Sequence, residues 1–346
     1  MNNIEINQEN LKNIAIHLLS PNKGILAADE SNGTADKRLE SFGIETGEEM
    51  RRKYRDLLLC APTLENYITG VIMFDETFWQ KDLAGNTFPD DLAKHNIYPG
   101  IKVDLGMTPN PEFNNEQITN GLDDLNERLI KYAAAGAKFT KWRALFEIDE
   151  ENDLPSDVAI RENSRRMAEY AKMVQENGMV PIVEPEVLLI GKHNIEKSEE
   201  VTTRAVKILF DELNKAEVYL PGLILKTSMV ISGNQNPDEN SPEEVADGTV
   251  RMLKASTPKE IGGVVFLSGG QTAVEASAHL NAIAKKEPLP WEIAFSYARA
   301  LQEPALRIWA GKEENVPAAR KEFLKRLQLN QLADQAEYDI SLEYQF

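Results

Sequence analysis

The fold class this sequence predicts is a closed parallel (β/α)8 barrel, the TIM-barrel architecture, as one domain over residues 1–346. Three observations predict it. Short apolar runs alternate with longer amphipathic stretches eight times. The runs start about 30 to 45 residues apart, enough for a strand, a helix and two loops. No Gly/Ser-rich linker or low-complexity tract divides the chain. The barrel should span about 20–312, with 313–346 adding a C-terminal helix and a tail. An open doubly wound sheet competes, but it lacks a GxGxxG motif and fits the eightfold repeat less well.

The predicted strands are GILAAD (24–29), ITGVIMFD (68–75), PGIKVD (99–104), AKFTKWRAL (137–145), MVPIVEPEV (179–187), PGLILK (221–226), GGVVFLS (262–268) and EIAFSYAR (292–299). Each is rich in β-branched or aromatic residues and begins near Gly or Pro. Between them, residues 114–137 place Leu122, Leu125, Leu129 and Tyr132 at helical spacing up to Gly136. Residues 156–178 open on the cap Ser156 and close at Gly178. Residues 241–256 pair the cap Ser241 with Glu244 and carry Pro242 at the first helical position.

Bulk properties narrow the function. The 346 residues carry a net charge of −18, which argues against nucleic-acid or anionic-membrane partners, since both want basic surface. One cysteine, Cys60, excludes an internal disulfide and suits a reducing compartment. The N-terminus lacks the basic and apolar regions of a signal peptide, and no apolar run is long enough to span a bilayer. A cytoplasmic location is therefore expected. Four scattered histidines make a histidine-rich zinc site a poor reading.

In a barrel of this kind, chemistry sits where strands end and the following loops begin. Seven of the eight predicted strands end in polar residues: Asp29, Lys102 with Asp104, Lys141 with Arg143, Glu184 with Glu186, Lys226, Ser268 and Arg299. The pairs are spaced i, i+2, so each shares one face of its strand. Lys226 interrupts an apolar run, where an ammonium is costly unless it is paired or loses its proton. Desolvation and the cations Lys141, Lys102 and Arg143 are expected to favour its neutral form. A neutral amine attacks a ketone, loses water and leaves an iminium ion, an electron sink for a breaking C–C bond. Dehydration needs an acid, which Glu184 or Glu186 would supply, and cleavage needs a base, for which Asp29 is suited.

Two anion sites flank this group. FLSGGQTAVEA (266–276) runs from a strand end through two glycines into a helix, and Arg299 offers a forked guanidinium nearby. ESNGTADKRL (30–39) follows the first strand and brings Lys37 and Arg38. Basic residues gathered in one mouth of an acidic protein point to a small anionic substrate, and two such sites suit two phosphates.

At these residues the sequence resembles the class I, Schiff-base fructose-bisphosphate aldolases, from about residue 10 to 335. The resemblance rests on GILAADES, GIKVD, FTKWR, PIVEPE, LILK, FLSGGQ, FSYARALQ and GKEEN, in the family's order. It implies reversible cleavage of fructose 1,6-bisphosphate into dihydroxyacetone phosphate and glyceraldehyde 3-phosphate, without metal or organic cofactor. It makes Lys226 the Schiff-base lysine, Glu184 its acid/base and Asp29 the base at the cleaved bond, with Glu186 and Lys141 in support. Ser268, Gly269, Arg299 and the amide of Ala298 would hold the ketose-side phosphate. Thr34, Lys37, Arg38 and Lys102 would lie toward the other, with Arg143 nearby. It also implies a homo-oligomer, tetramers being common in the family.

There are departures. The family's usual SYGR is SYAR, and a left-handed backbone at Ala298 would cost about 1 to 2 kcal/mol. Thr227 and Ser228 stand where proline and asparagine are usual, and Thr34 where a serine is common. Many animal members end in a tyrosine that reaches the site; this chain has Tyr344 and ends in Phe346. Two other readings remain: a different Schiff-base barrel lyase, such as a transaldolase or deoxyribose-phosphate aldolase, and a non-catalytic scaffold on the same fold.

Overall fold

The structure, a computed structural model, describes residues 3–286 and 288–345; Phe346 lies outside them. Eight parallel strands form one sheet: β1 (Gly24–Ala28), β2 (Ile68–Met73), β3 (Tyr98–Lys102), β4 (Phe139–Phe146), β5 (Val180–Val187), β6 (Ile224–Thr227), β7 (Gly263–Phe266) and β8 (Ile293–Phe295). They neighbour one another in chain order. The Ala27 N–H donates to the Tyr297 carbonyl at 3.0 Å and ties β8 to β1, so the sheet closes as a (β/α)8 barrel.

Alternation along the strands separates two cores. Outward-facing Leu26, Trp142, Val183, Leu225, Val264 and Phe266 pack with the surrounding helices in one large cluster. Inward-facing Ile25, Ile72, Phe139, Val180, Ile182, Ile224 and Val265 form a second cluster. Leu11, Ile14, Ala15 and Leu18 of the N-terminal helix Asn3–Leu18 join that second cluster and close the barrel floor. Phe139 fills the middle of the floor because Gly70 and Gly100 leave room for its ring. A Cβ at Gly100 would stand 2.2 Å from a ring carbon. Above this layer the same inward faces turn polar: Phe139 is followed by Lys141 and Arg143, Ile182 by Glu184 and Glu186, and Ile224 by Lys226. The lower layer is a packed core; the upper layer is a site.

Three elements differ from the sequence expectation. The helix expected from residue 114 begins only at Leu125. Upstream, Gln117–Thr119 pairs antiparallel with Met107–Pro109 as a hairpin beyond β3. Two β-branched residues, Ile118 and Thr119, are buried there, and Asn163 accepts from the Thr119 N–H at 3.1 Å. Gly121 at φ +122° then breaks the chain before the helix. Pro221 starts a 3-10 turn, Leu220–Gly222, so β6 begins three residues later than expected. β8 stops at Phe295, and Arg299 is the first residue of the helix Arg299–Trp309 rather than the end of a strand.

The added C-terminal helix, Val316–Asp334, packs on Arg299–Trp309 and on the helix Ala273–Ala284. Buried Arg326 holds the tail down, with two contacts of 2.6 Å to the Glu343 carboxylate. Tyr344 is 87% exposed. It does not line the cavity at the barrel mouth.

Candidate active site

The polar upper layer opens into a cavity of ≈ 640 Å³ at the C-terminal ends of the strands. Every residue singled out from the sequence lines it except Lys37, which is exposed on the helix Asn32–Ser41 and points elsewhere. Helical periodicity puts Arg38, not its neighbour, on the inner side.

At the centre lie two lysines and two carboxylates, all buried. Lys141 Nζ is 2.6 Å from Asp29 Oδ2 and 2.9 Å from Glu184 Oε2. Lys226 Nζ is 3.1 Å from Glu184 Oε1. Glu184 thus bridges the two amines, and Lys141 bridges the two acids. Every cation that the sequence gathered around Lys226 has a carboxylate of its own. Arg143 meets Glu186 at 3.1 Å, and Lys102 meets Asp104 at 2.7 Å. The cleft is a mesh of alternating charge rather than a bare cationic pocket.

This mesh separates the carboxyl groups electrostatically. Burial pushes the Asp29 carboxyl up, but the Lys141 ammonium, with Lys226 and Lys102 behind it, outweighs burial and holds its pKa well below the usual carboxylate range. Glu184 is lowered in the same way: burial opposes, and Lys141, Lys226 and Arg143 prevail. Glu186 goes the other way. Burial raises it, Arg143 offsets only part of that, and the charge of Glu184 adds to the rise. Lys141 is raised, since Asp29 and Glu184 more than compensate for burial.

A stability prediction follows. Asp29 and Glu184 are both depressed below their unfolded values, so the native state binds fewer protons. The stability they add is present above about pH 4 and is lost as pH falls through lower values. Lys141→Met should cost about 3 to 5 kcal/mol at pH 7, because it strands the buried Asp29 carboxylate and leaves Glu184 with Lys226 alone. Urea midpoints at pH 7 and pH 3 for both proteins check this: the gap between them should shrink in the variant.

The flanking groups follow from local structure. Thr272 and Glu275 form a capping box on the helix Ala273–Ala284, so Leu267–Gln271 is left as a tight loop over its N-terminus. At Gly269 a Cβ would stand 3.0 Å from Glu186 Oε1 and from Leu267 Cδ1, so a larger residue there would push both side chains back. Ala298 caps the next helix at φ −107°, ψ −85°. It is not left-handed, and the strain considered for alanine at this position does not arise. Arg38 donates to Gln302 at 2.9 Å, one turn beyond Arg299. It therefore stands on the β1–β8 side of the cavity, by Arg299, whereas the sequence reading set it with Lys102 toward the other phosphate. Thr34 and Lys102 line the wall formed beyond β1 and β3.

Sequence reasoning missed several lining residues, among them Glu30, Phe74, Ser296 and Leu105 on the hairpin approach. It also missed Arg55, 2% exposed and 2.8 Å from Glu30. A signal existed for Arg55: it lies between Tyr54 and Leu57 on the apolar side of the helix Glu48–Leu59. Cys60, Asp82 and Asp91 bring potential metal ligands together elsewhere, and none of the three lines the cavity.

Among the described residues no helix is long and apolar enough to cross a membrane. The family model for class-I fructose-bisphosphate aldolase matches residues 10–345. The fructose-bisphosphate aldolase of Dictyostelium discoideum is 45% identical over 322 residues, 93% of this chain and 90% of that one. Fructose-bisphosphate aldolase C of Macaca fascicularis is 44% identical over 338 residues, 97% of this chain and 92% of that one. A solved structure of the Plasmodium falciparum fructose-bisphosphate aldolase, in complex with TRAP and a small-molecule inhibitor, superposes with a TM-score of 0.95 at 43% identity, covering 96% of each chain. These matches do not favour a transaldolase-like lyase or a non-catalytic scaffold. Barrel, charge mesh and relatives agree: the chain belongs to the class-I fructose-bisphosphate aldolases, carbon–carbon lyases of glycolysis.

Proposed function

We propose that this aldolase cleaves fructose 1,6-bisphosphate through an iminium ion on Lys226, and that the groups around it divide the proton transfers as follows. The observation that carries the assignment is the Glu184 carboxylate, within 3.1 Å of Lys226 Nζ and 2.9 Å of Lys141 Nζ. It is the acid closest to the amine, and geometry ranks ahead of pKa in choosing a proton donor. Glu186, the carboxyl with the raised pKa, faces Arg143 and acts as a neighbouring proton reserve.

Lys226 passes a proton to Glu184, its neutral amine adds to the C2 carbonyl, and one of the amine's remaining protons moves to the carbonyl oxygen. Glu184 in its acid form then protonates the carbinolamine hydroxyl, and water leaves with the C–O bond. Asp29 takes the C4 hydroxyl proton. The C3–C4 electron pair flows into the iminium, giving an enamine and free glyceraldehyde 3-phosphate. Asp29 returns its proton at C3, and hydrolysis, with Glu184 now taking a proton from water, releases dihydroxyacetone phosphate and regenerates Lys226. Lys141 holds Asp29 and Glu184 in place and balances their charge. Ser268, Gly269, Ala298 and Arg299 receive the ketose-side phosphate, joined by Arg38; Thr34 and Lys102 face the other, with Arg143 nearby.

The electron sink is the iminium itself, so this chemistry calls for no metal or organic cofactor. We further take the chain to be one domain and to act as a homo-oligomer. We also place it in the cytoplasm, as the name of a 46% identical cytosolic Arabidopsis thaliana relative indicates for that protein. The experiment is reductive trapping. Borohydride with dihydroxyacetone phosphate should inactivate the enzyme and add the reduced triose-phosphate mass to Lys226, with or without EDTA. Labelling at another lysine, or dependence on a chelatable ion, overturns the assignment.

A further inference from the structure

Behind the cavity wall, one carboxylate holds two guanidinium groups. Glu30 follows Asp29 and is buried. Its Oε1 pairs with Arg38 Nη1, and its Oε2 lies 2.8 Å from Arg55 Nη1. Arg55 Nη2 also donates to the Glu30 carbonyl at 3.3 Å. Glu30 and Arg38 line the cavity, while Arg55 does not. Arg55 is 2% exposed, and its guanidinium sits 5.2 Å from the Tyr54 ring centroid, which fixes it in place.

Two cations on one acid is more than neutrality requires. With Arg38 alone, Glu30 would be an ordinary buried pair, and drawing Arg38 away would strand a carboxylate in the wall. With Arg55 behind it, Glu30 keeps a full countercharge whichever way Arg38 faces. Burial raises the Glu30 carboxyl, and Arg55, ahead of Arg38, is the larger of the two charges that bring it below its ordinary value. Arg38 has a second anchor that does not hold it by charge: it donates to Gln302 Oε1, which also accepts from Tyr54 Oη at 2.5 Å.

We propose that Arg55 is a positioning residue for phosphate binding: it neutralises Glu30 from behind and so frees Arg38 to turn from that carboxylate to the substrate's phosphate. This rests on the reading above that Arg38 meets a phosphate in this cavity.

Steady-state cleavage of fructose 1,6-bisphosphate by the full-length enzyme tests it. Arg38→Met should raise KM; if it does not, the phosphate reading fails and this proposal fails with it. If it does, Arg55→Met should also raise KM, by roughly tenfold, with kcat little changed, because Glu30 then keeps Arg38 for itself. Arg55→Lys, which keeps the charge, should stay near the parent KM. The double variant Glu30→Gln with Arg55→Met should bring KM back down. A residue that only supports the fold would instead lower kcat per total enzyme at constant KM, without rescue by the second change, and that result overturns the proposal. Should Arg55→Met not fold, Glu30→Gln alone decides: KM should fall below the parent value, and an unchanged or higher KM overturns the proposal.

Discussion

Lys226→Met should abolish cleavage of fructose 1,6-bisphosphate, lowering kcat by roughly 10⁴- to 10⁶-fold, the range seen when a covalent nucleophile is removed. Methionine is close to lysine in length and fills the same channel between Ile224 and the cavity, so the barrel should stay packed. Glu184 keeps Lys141 at 2.9 Å, so it is not left as a lone buried charge. The loss of Lys226 should therefore cost less stability than the loss of Lys141, which serves two acids at once. Single-turnover cleavage, a thermal melt and borohydride trapping separate the effects. The expected pattern is a folded protein with no covalent adduct and no cleavage. A kcat within tenfold of the parent would mean that another amine carries the reaction.

The parts of this site that could be read from the sequence are those that strand alternation dictates. Pairs at i, i+2 must share a face, so the sequence alone sets Lys141 with Arg143 and Glu184 with Glu186 in one layer. Lys226 was marked by the cost of an ammonium in an apolar run. Rotation about helices and the choice of partner were less legible. Lys37 and Arg38 are adjacent, and only the helix phase sends one into the cavity and the other into solvent. Arg38 faces Gln302 because the helix after β8 reaches back over β1, a contact across 264 residues that no local pattern encodes. The second hairpin strand, Gln117–Thr119, reads from sequence as the start of a helix because Leu122, Leu125 and Leu129 just downstream keep helical spacing, while the burial of Ile118 and Thr119 against Asn163 depends on tertiary packing. The pairing of cations with acids was hidden for the same reason. Sequence shows which charges share a rim, whereas the contacts among them depend on side-chain reach around it.

Asp29→Asn should divide the reaction in two. Asp29 is charged at every working pH, since Lys141 holds its carboxyl well below the ordinary range. Asparagine keeps the shape and can still accept from Lys141 Nζ, but it cannot take the C4 hydroxyl proton. Addition of Lys226 to the ketone and loss of water run through Glu184, whose contact with Lys226 does not involve Asp29. The variant should therefore still form the iminium, so borohydride should trap dihydroxyacetone phosphate on Lys226 as in the parent. Cleavage of fructose 1,6-bisphosphate should fall by about 10² to 10⁴, the usual contribution of a positioned base. With the hexose bisphosphate the intact substrate should then accumulate on the enzyme, and borohydride should add the mass of the uncleaved sugar rather than that of the triose. The low pKa matters to this expectation. An anion gripped this firmly is a weak base until the reacting hydroxyl competes for it, so the proton moves only when substrate is seated between Asp29 and the amine. If the variant loses trapping and cleavage together, Asp29 acts on Schiff-base formation instead, and the division of labour between the two carboxylates must be redrawn.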